Sequence, residues 1–244
     1  LQDMAWGSKP HMLQLLRGMR AANLARLEDS FEQDVQAENL RAFLGEANAD
    51  RWRKQLSMHN LFSRGTTHIS VADAEGNIAS LTTSNGEGCG YVLPGTGIMM
   101  NNMLGEEDLN PGGFHRWEPG SRLVSMMSPA LLETAEGERI ALGSGGSNRI
   151  RSAMTQVLSN LLDFGMAPQD AVNAPRIHLE GEKLSFEPGL ADGTVAELIR
   201  QAPQHHGWPE SNLFFGGVHA VSVTPDGRFE GAGDKRRGGS VNFG

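Results

Sequence analysis

The sequence predicts an α+β fold in which antiparallel sheets are packed between helical layers. Three observations predict it. Three pairs of short strand-like segments are each joined at a glycine-bearing turn, the pattern of β-hairpins. Segments of helical period precede the first pair and separate the second from the third, instead of alternating with single strands as a parallel βαβ sheet requires. Glycine is abundant, 31 of 244 residues, which favours tight turns and backbone-lined sites over a helical bundle.

Ser8 to about Leu27 reads as an amphipathic helix, with Ser8 as N-cap and Met12, Leu15, Leu16, Met19 and Ala22 at helical spacing. Asp34 to Leu44 is a weaker helical pattern stopped by Gly45, and Asn48 to Arg64 is polar, basic and aperiodic, suited to an exposed, cleavable connector. The composition changes at Gly65. Thr67–Ala72 and Ile78–Thr83 form the first predicted hairpin around Gly76-Asn77, running into the loop Ser84-Asn85-Gly86-Glu87-Gly88. Ala130–Thr134 with Arg139–Leu142, around Gly137, form the second, and Ala220–Thr224 with Arg228–Glu230, through Pro225-Asp226-Gly227, the third. Between these lie a helix with apolar face Ile150, Met154, Val157, Leu158, Leu161 and Leu162, stopped at Gly165, and a second helix from Thr194 through Val195, Leu198 and Ile199.

Composition excludes several classes. A content of 39% hydrophobic and 20% charged residues suits a soluble globular domain able to bury a real core. The net charge of −8 argues against nucleic acid as a partner, and Lys235-Arg236-Arg237 is too short a basic run to reverse that. No apolar run reaches the length of a membrane span. The lone Cys89 excludes an internal disulfide framework and reads as a small packing residue. His205-His206 lacks the helical spacing of a zinc pair, so neither a metal nor a cofactor is expected. His68 reads as structural. The chain starts at Leu1 without a signal-peptide pattern, as a fragment or processed piece would.

Four stretches can carry chemistry. At Gly65-Thr66 a hydroxyl residue follows the residue that least hinders its backbone bond; the alternatives are self-cleavage before Thr66 and an ordinary glycine turn into a strand. Gly143-Ser144-Gly145-Gly146-Ser147-Asn148-Arg149-Ile150 leaves a strand and opens a helix, with Ser147 the candidate N-cap. Backbone N–H groups there can hold an oxyanion, or the stretch is simply a tight strand-to-helix turn. Gly97 to Asp108 offers Asn101 and Asn102 and the three acids Glu106, Glu107 and Asp108 to a polar substrate, against the alternative that the acids are a solvated loop. Arg122 to Pro129 offers Ser125 and Ser128, as substrate contacts or as turn residues.

In order along the chain, Thr66-Thr67-His68, Asp73 with Gly76-Asn77, Asn101-Asn102, Ser125 with Ser128-Pro129, the Gly-Ser-Gly-Gly turn, Asn173-Ala174-Pro175-Arg176 and Pro225-Asp226-Gly227 together resemble the catalytic subunit of a γ-glutamyltransferase (γ-glutamyltranspeptidase). The resemblance implies an N-terminal-nucleophile hydrolase, an αββα sandwich with two facing antiparallel sheets. It implies that residues 1–65 are the tail of a large-subunit region and 66–244 the catalytic small-subunit region, with autocleavage between Gly65 and Thr66. It further implies Thr66 as nucleophile and Ser84 as its hydroxyl partner. Gly145 and Gly146, or Gly146 and Ser147, fall at the oxyanion positions, and Asn85, Asn102, Glu106 and Ser125 hold the donor.

The resemblance has departures. Met103 and Met126 stand where the family carries polar donor contacts, and the Leu109–Ser121 stretch is shorter than the lid-bearing segment of some members, implying an open site for bulky donors. The implied partners are a small-molecule amide donor and the large-subunit region, and a homo-oligomer of such heterodimers is left open. The implied location is periplasmic or secreted, with the cytoplasm not excluded. A glutaryl- or cephalosporin-type acylase, and an inactive homologue serving as a binding subunit, are the alternative functions.

Overall fold

The computed structural model describes residues 1, 3–28, 65–106, 109–110 and 113–244. The helix expected over Asp34–Leu44 and the connector over Asn48–Arg64 lie outside the described residues.

Helix α1 (Lys9–Glu28) forms as its apolar period predicts. Ser8 caps it, its Oγ accepting from His11 N at 3.4 Å. Met12, Leu15, Leu16 and Met19 are buried as expected. Ala22 is exposed, and Leu24 closes the buried stripe in its place. The three expected hairpins are present. Strands β1 (Thr66–Ala72) and β2 (Ile78–Ser84) pair antiparallel with Thr66 opposite Ser84. Strands β3 (Ala130–Glu133) and β4 (Arg139–Gly145) pair likewise, as do β8 (Gly217–Val223) and β9 (Phe229–Ala232). Because β4 also pairs with β8, the last two hairpins join into one sheet of order β3-β4-β8-β9.

That sheet is covered on both faces, which explains the continuous burial of β4. On one face Ile140, Leu142, Val218 and Ala220 pack against α2 (Arg149–Leu162) and α3 (Pro168–Asn173) through Ile150, Ala153, Met154, Val157, Ala171 and Val172. On the other lies the β1–β2 hairpin, packed over β4 and β8. The alternation of β4 therefore sends even residues to the helices, while Gly143 and Gly145 meet His68 and Thr66. Among the described residues the layers therefore run helix, sheet, sheet, and the outer face of β1–β2 is exposed. Leu162, expected on the buried face of α2, is exposed at its last turn.

A second unit was not anticipated. Strands β5 (Ile177–Glu180), β6 (Lys183–Phe186) and β7 (Gln204–Gly207) form a small sheet whose β6–β7 pair is parallel, joined across by α4 (Asp192–Gln201). Helices α1 and α4 pack on it through Leu16, Ile177, Leu179, Leu184 and Leu198. The parallel β6–β7 pair is thus an addition to the expected antiparallel sheets. His205 and His206 lie on β7 with exposed side chains. Cys89 also departs from its expected packing role: it is a free thiol, exposed in a loop.

Candidate active site

Thr66 sits at the start of β1 with its side chain on the same face as His68 and Ser70, against β4 and β8. This inter-sheet face is polar. His68 is buried between Thr82 Oγ1 and Ser70 Oγ, each at 2.8 Å, and its ring occupies the space that a side chain at Gly143 would need. Burial, reinforced by nearby His219, holds the His68 pKa down at about 4, so the ring is neutral at pH 7.

Three hydrogen bonds organise the Gly65–Thr66 bond. Thr66 Oγ1 donates to Ser84 Oγ at 3.1 Å, Ser84 Oγ donates to the Gly65 carbonyl at 3.2 Å, and Gly86 N donates to Ser84 Oγ at 3.0 Å. Cross-strand pairing of Thr66 with Ser84 delivers this geometry, since directly opposed residues bring their side chains together. Gly65, at φ 144°, lies so close to Gly86 that a Cβ on it would fall 1.5 Å from the Gly86 carbonyl oxygen.

The next loop closes over this point. Asn102 Oδ1 accepts from Glu87 N at 2.7 Å, and its backbone N donates to the Asn85 carbonyl at 3.1 Å. A Cβ on Gly86 would lie 2.2 Å from Asn102 Oδ1 and 2.7 Å from Glu106 Oε1, so both side chains reach the loop beside Thr66. The Asn85 side chain is used locally, Nδ2 donating to the Met99 carbonyl at 3.4 Å. Gly86, which carried no individual role in the sequence reading, makes the closer contacts; its one legible signal is its place between Ser84 and Glu87 in the loop. Ser125 is exposed and accepts from Met127 N at 3.0 Å. Met126 packs partly into the core against the α2 side of the sheet.

On the opposite side of Thr66 is the glycine turn. Gly145 abuts it: a Cβ there would fall 2.3 Å from the Thr66 carbonyl oxygen. The chain then turns through Gly146 (φ 137°) and Ser147 (φ 54°) into α2. The carbonyls of these two residues accept from Arg149 N and Ile150 N at 3.1 and 3.0 Å, winding the first helical turn. Ser147 is not the N-cap. Asn148 occupies that position, with Ser147 in the left-handed turn before it. The Gly146 and Ser147 N–H groups lie just ahead of the first helical turn, at the positive end of the helix, which suits them to a developing oxyanion.

A sequence model of the gamma-glutamyltranspeptidase family matches residues 11–243. The chain belongs to this family. Among γ-glutamyltranspeptidase relatives, the acylase ACY 1 proenzyme of Pseudomonas sp. (strain SE83) is 36% identical over 220 residues, covering 89% of this chain and 38% of the relative. The glutathione hydrolase proenzyme of Bacillus subtilis (strain 168) is 31% identical over 180 residues, 72% of this chain and 30% of the relative. The chain thus spans less than half the length of these relatives. The crystal structure of the Bacillus anthracis transpeptidase CapD superposes with a TM-score of 0.59 at 29% identity, over 73% of this chain and 99% of that one. The chain shares the N-terminal-nucleophile fold of these relatives, its described residues supplying the helix, sheet, sheet layers.

Proposed function

We propose that the protein is an autoprocessing N-terminal threonine amidohydrolase or acyltransferase that takes γ-glutamyl groups from small-molecule amide donors. The observation that carries this is the chain of hydroxyls from Thr66 through Ser84 to the carbonyl of the Gly65–Thr66 bond. In the first reaction Thr66 Oγ1 attacks the Gly65 carbonyl carbon, and Ser84 stabilises charge on its oxygen. The C–N bond breaks, the nitrogen takes a proton, and Gly65 is left esterified to Thr66. Water opens the ester, releasing the Gly65 carboxylate and a free Thr66 α-amine. That amine then serves as base for its own hydroxyl, the Thr–N-terminus form of nucleophilic catalysis.

In turnover the Thr66 hydroxyl attacks the donor carbonyl and the leaving amine departs protonated. The acyl group passes from Thr66 to water or to an amino-acid amine. The Gly145-Gly146-Ser147 turn faces this step as oxyanion holder. Glu106, with Asn102, Asn85 and Ser125, forms the donor-recognition set, Glu106 supplying the charge for an α-ammonium group. The uncut chain has no Thr66 amine and is inactive.

The partner is further chain of the large-subunit type. The face of β1–β2 turned inward is polar, whereas Ile69, Val71 and Leu81 on its outer face are 49%, 53% and 57% exposed, so the outer face is the one built for burial. None of the described helices is long and apolar enough to cross a membrane. Family membership supports a periplasmic or secreted enzyme.

A second reading, a glutaryl-type acylase, is favoured by Met103 and Met126, which remove polar donor contacts, and by the 36% identity to an acylase proenzyme. A site built to bind an ammonium head rejects the analogue lacking it, because its buried polar groups are left unpaired. Turnover of γ-glutamyl and glutaryl anilides by the purified full-length protein decides between them. At least tenfold preference for the γ-glutamyl donor is expected; equal or reversed turnover selects the acylase reading. Thr66→Ala is expected to abolish turnover of both.

A further inference from the structure

We propose that His178 and Glu180 are positioning residues for acyl transfer, holding the Gly146–Ser147 turn in shape through the side chain of Asn148. The proposal rests on that turn being the oxyanion holder, as argued above.

His178 and Glu180 stand two residues apart on β5, on one face of the strand, and point toward the first turn of α2. His178 Nδ1 lies 2.6 Å from Ser152 Oγ, and its Nε2 lies 2.9 Å from Glu180 Oε2. The same Glu180 oxygen accepts from Asn148 Nδ2, while Asn148 Oδ1 accepts from Arg149 Nη1. All five residues are at least nine-tenths buried. Burial depresses the His178 pKa against the opposing pull of Glu180. Burial works against the Glu180 carboxylate, but hydrogen bonds from His178 and Asn148 keep its pKa low. His178 Nε2–H donates to ionised Glu180, and Ser152 Oγ, 2.6 Å from His178 Nδ1, also lies 3.3 Å from the Arg149 carbonyl, to which it can donate.

The choice made by Asn148 gives the relay its meaning. Asparagine at an N-cap position normally bonds a free N–H of the first turn, worth about 1 kcal/mol. Here the side chain makes no such bond and is turned inward to Glu180. The helix forgoes its cap, and the residue after the two positive-φ positions Gly146 and Ser147 is instead held at both ends of its amide. A non-glycine residue at φ 54° persists only where its surroundings over-determine it. The line of contact runs from Glu180 to Asn148, along the backbone to Gly145, and onto Thr66.

The test compares Asn148→Ala, Glu180→Gln and the double variant in the full-length protein, with rates expressed per titrated active site. Removing an oxyanion donor outright costs about 10²–10³ in kcat. Loosening the turn that carries it is expected to lower kcat by roughly tenfold to a hundredfold, with KM within about threefold. The double variant should be no slower than the worse single one, because both act along one line. His178→Gln, which keeps a polar group of similar reach, serves where Glu180→Gln does not fold. Folded, processed variants with wild-type kcat, differing only in thermal stability, would overturn the proposal and leave the proposed function standing. A wild-type protein without turnover would instead overturn the function itself.

Discussion

Ser84 performs two tasks with one hydroxyl: it accepts from Thr66, the proposed nucleophile, and donates to the Gly65 carbonyl, the proposed point of attack. Replacing it with alanine should slow self-cleavage by about 10- to 100-fold, whereas Ser84→Thr should cleave nearly as fast as wild type; a time course of intact mass measures both. His68 tests the inter-sheet face differently. Its folded pKa of about 4 lies below the ordinary value of 6.5, so between those pH values the unfolded chain binds a proton that the folded chain refuses. Its contribution is fully present above pH 6.5 and is lost as pH falls toward 4. Urea denaturation at pH 7 and 4.5 should show a loss from this residue of about 2 kcal/mol, allowing for partial contact with solvent, and His68→Gln should lose that much less. His68 was legible as structural from strand alternation alone; the Asn148 contact was not, because its partner Glu180 is 32 positions away.

At the scale of elements, the hairpins were legible because each combines paired short strands with turn residues that leave little choice. The β5–β6–β7 sheet was not. All four residues of β5 are buried, so it shows no alternation, and β7 is exposed throughout and carries no large apolar residue apart from its histidine rings. Its parallel pairing follows from the crossover through α4, a tertiary choice that no local pattern announces. Ser147 was misread as the cap for the same reason: the true N-cap residue spends its side chain on a distant carboxylate. The contact between β1 and β4 makes its own prediction. Gly145→Ala would drive a Cβ into the Thr66 carbonyl, so it should cost about 1–3 kcal/mol in urea titration and displace the nucleophile enough to impair processing.

Across the whole molecule, the C-terminal segment is tied to the helical layer by a buried charge network. Asp234 accepts from Arg176 at 2.7 Å and from Val218 N at 3.0 Å, and Arg236 bonds both Asp234 and Glu187. Asp234→Ala leaves two buried guanidinium groups short of a partner and should cost about 3–5 kcal/mol in equilibrium unfolding. The layered fold exists to bring residues from distant segments to one point: Thr66 and Ser84 from one hairpin, Asn102 and Glu106 from the following loop, Gly145 from the opposed sheet. Sequence order revealed these motifs through family resemblance, and spatial convergence is what the fold adds. The central claim is that this convergence makes Thr66 cut its own chain. Intact mass and N-terminal sequencing of the folded full-length protein test it most directly. A new chain beginning Thr66-Thr67-His68, absent in Thr66→Ala, is the predicted result; a wild-type protein that stays whole at Gly65–Thr66 after folding would contradict it.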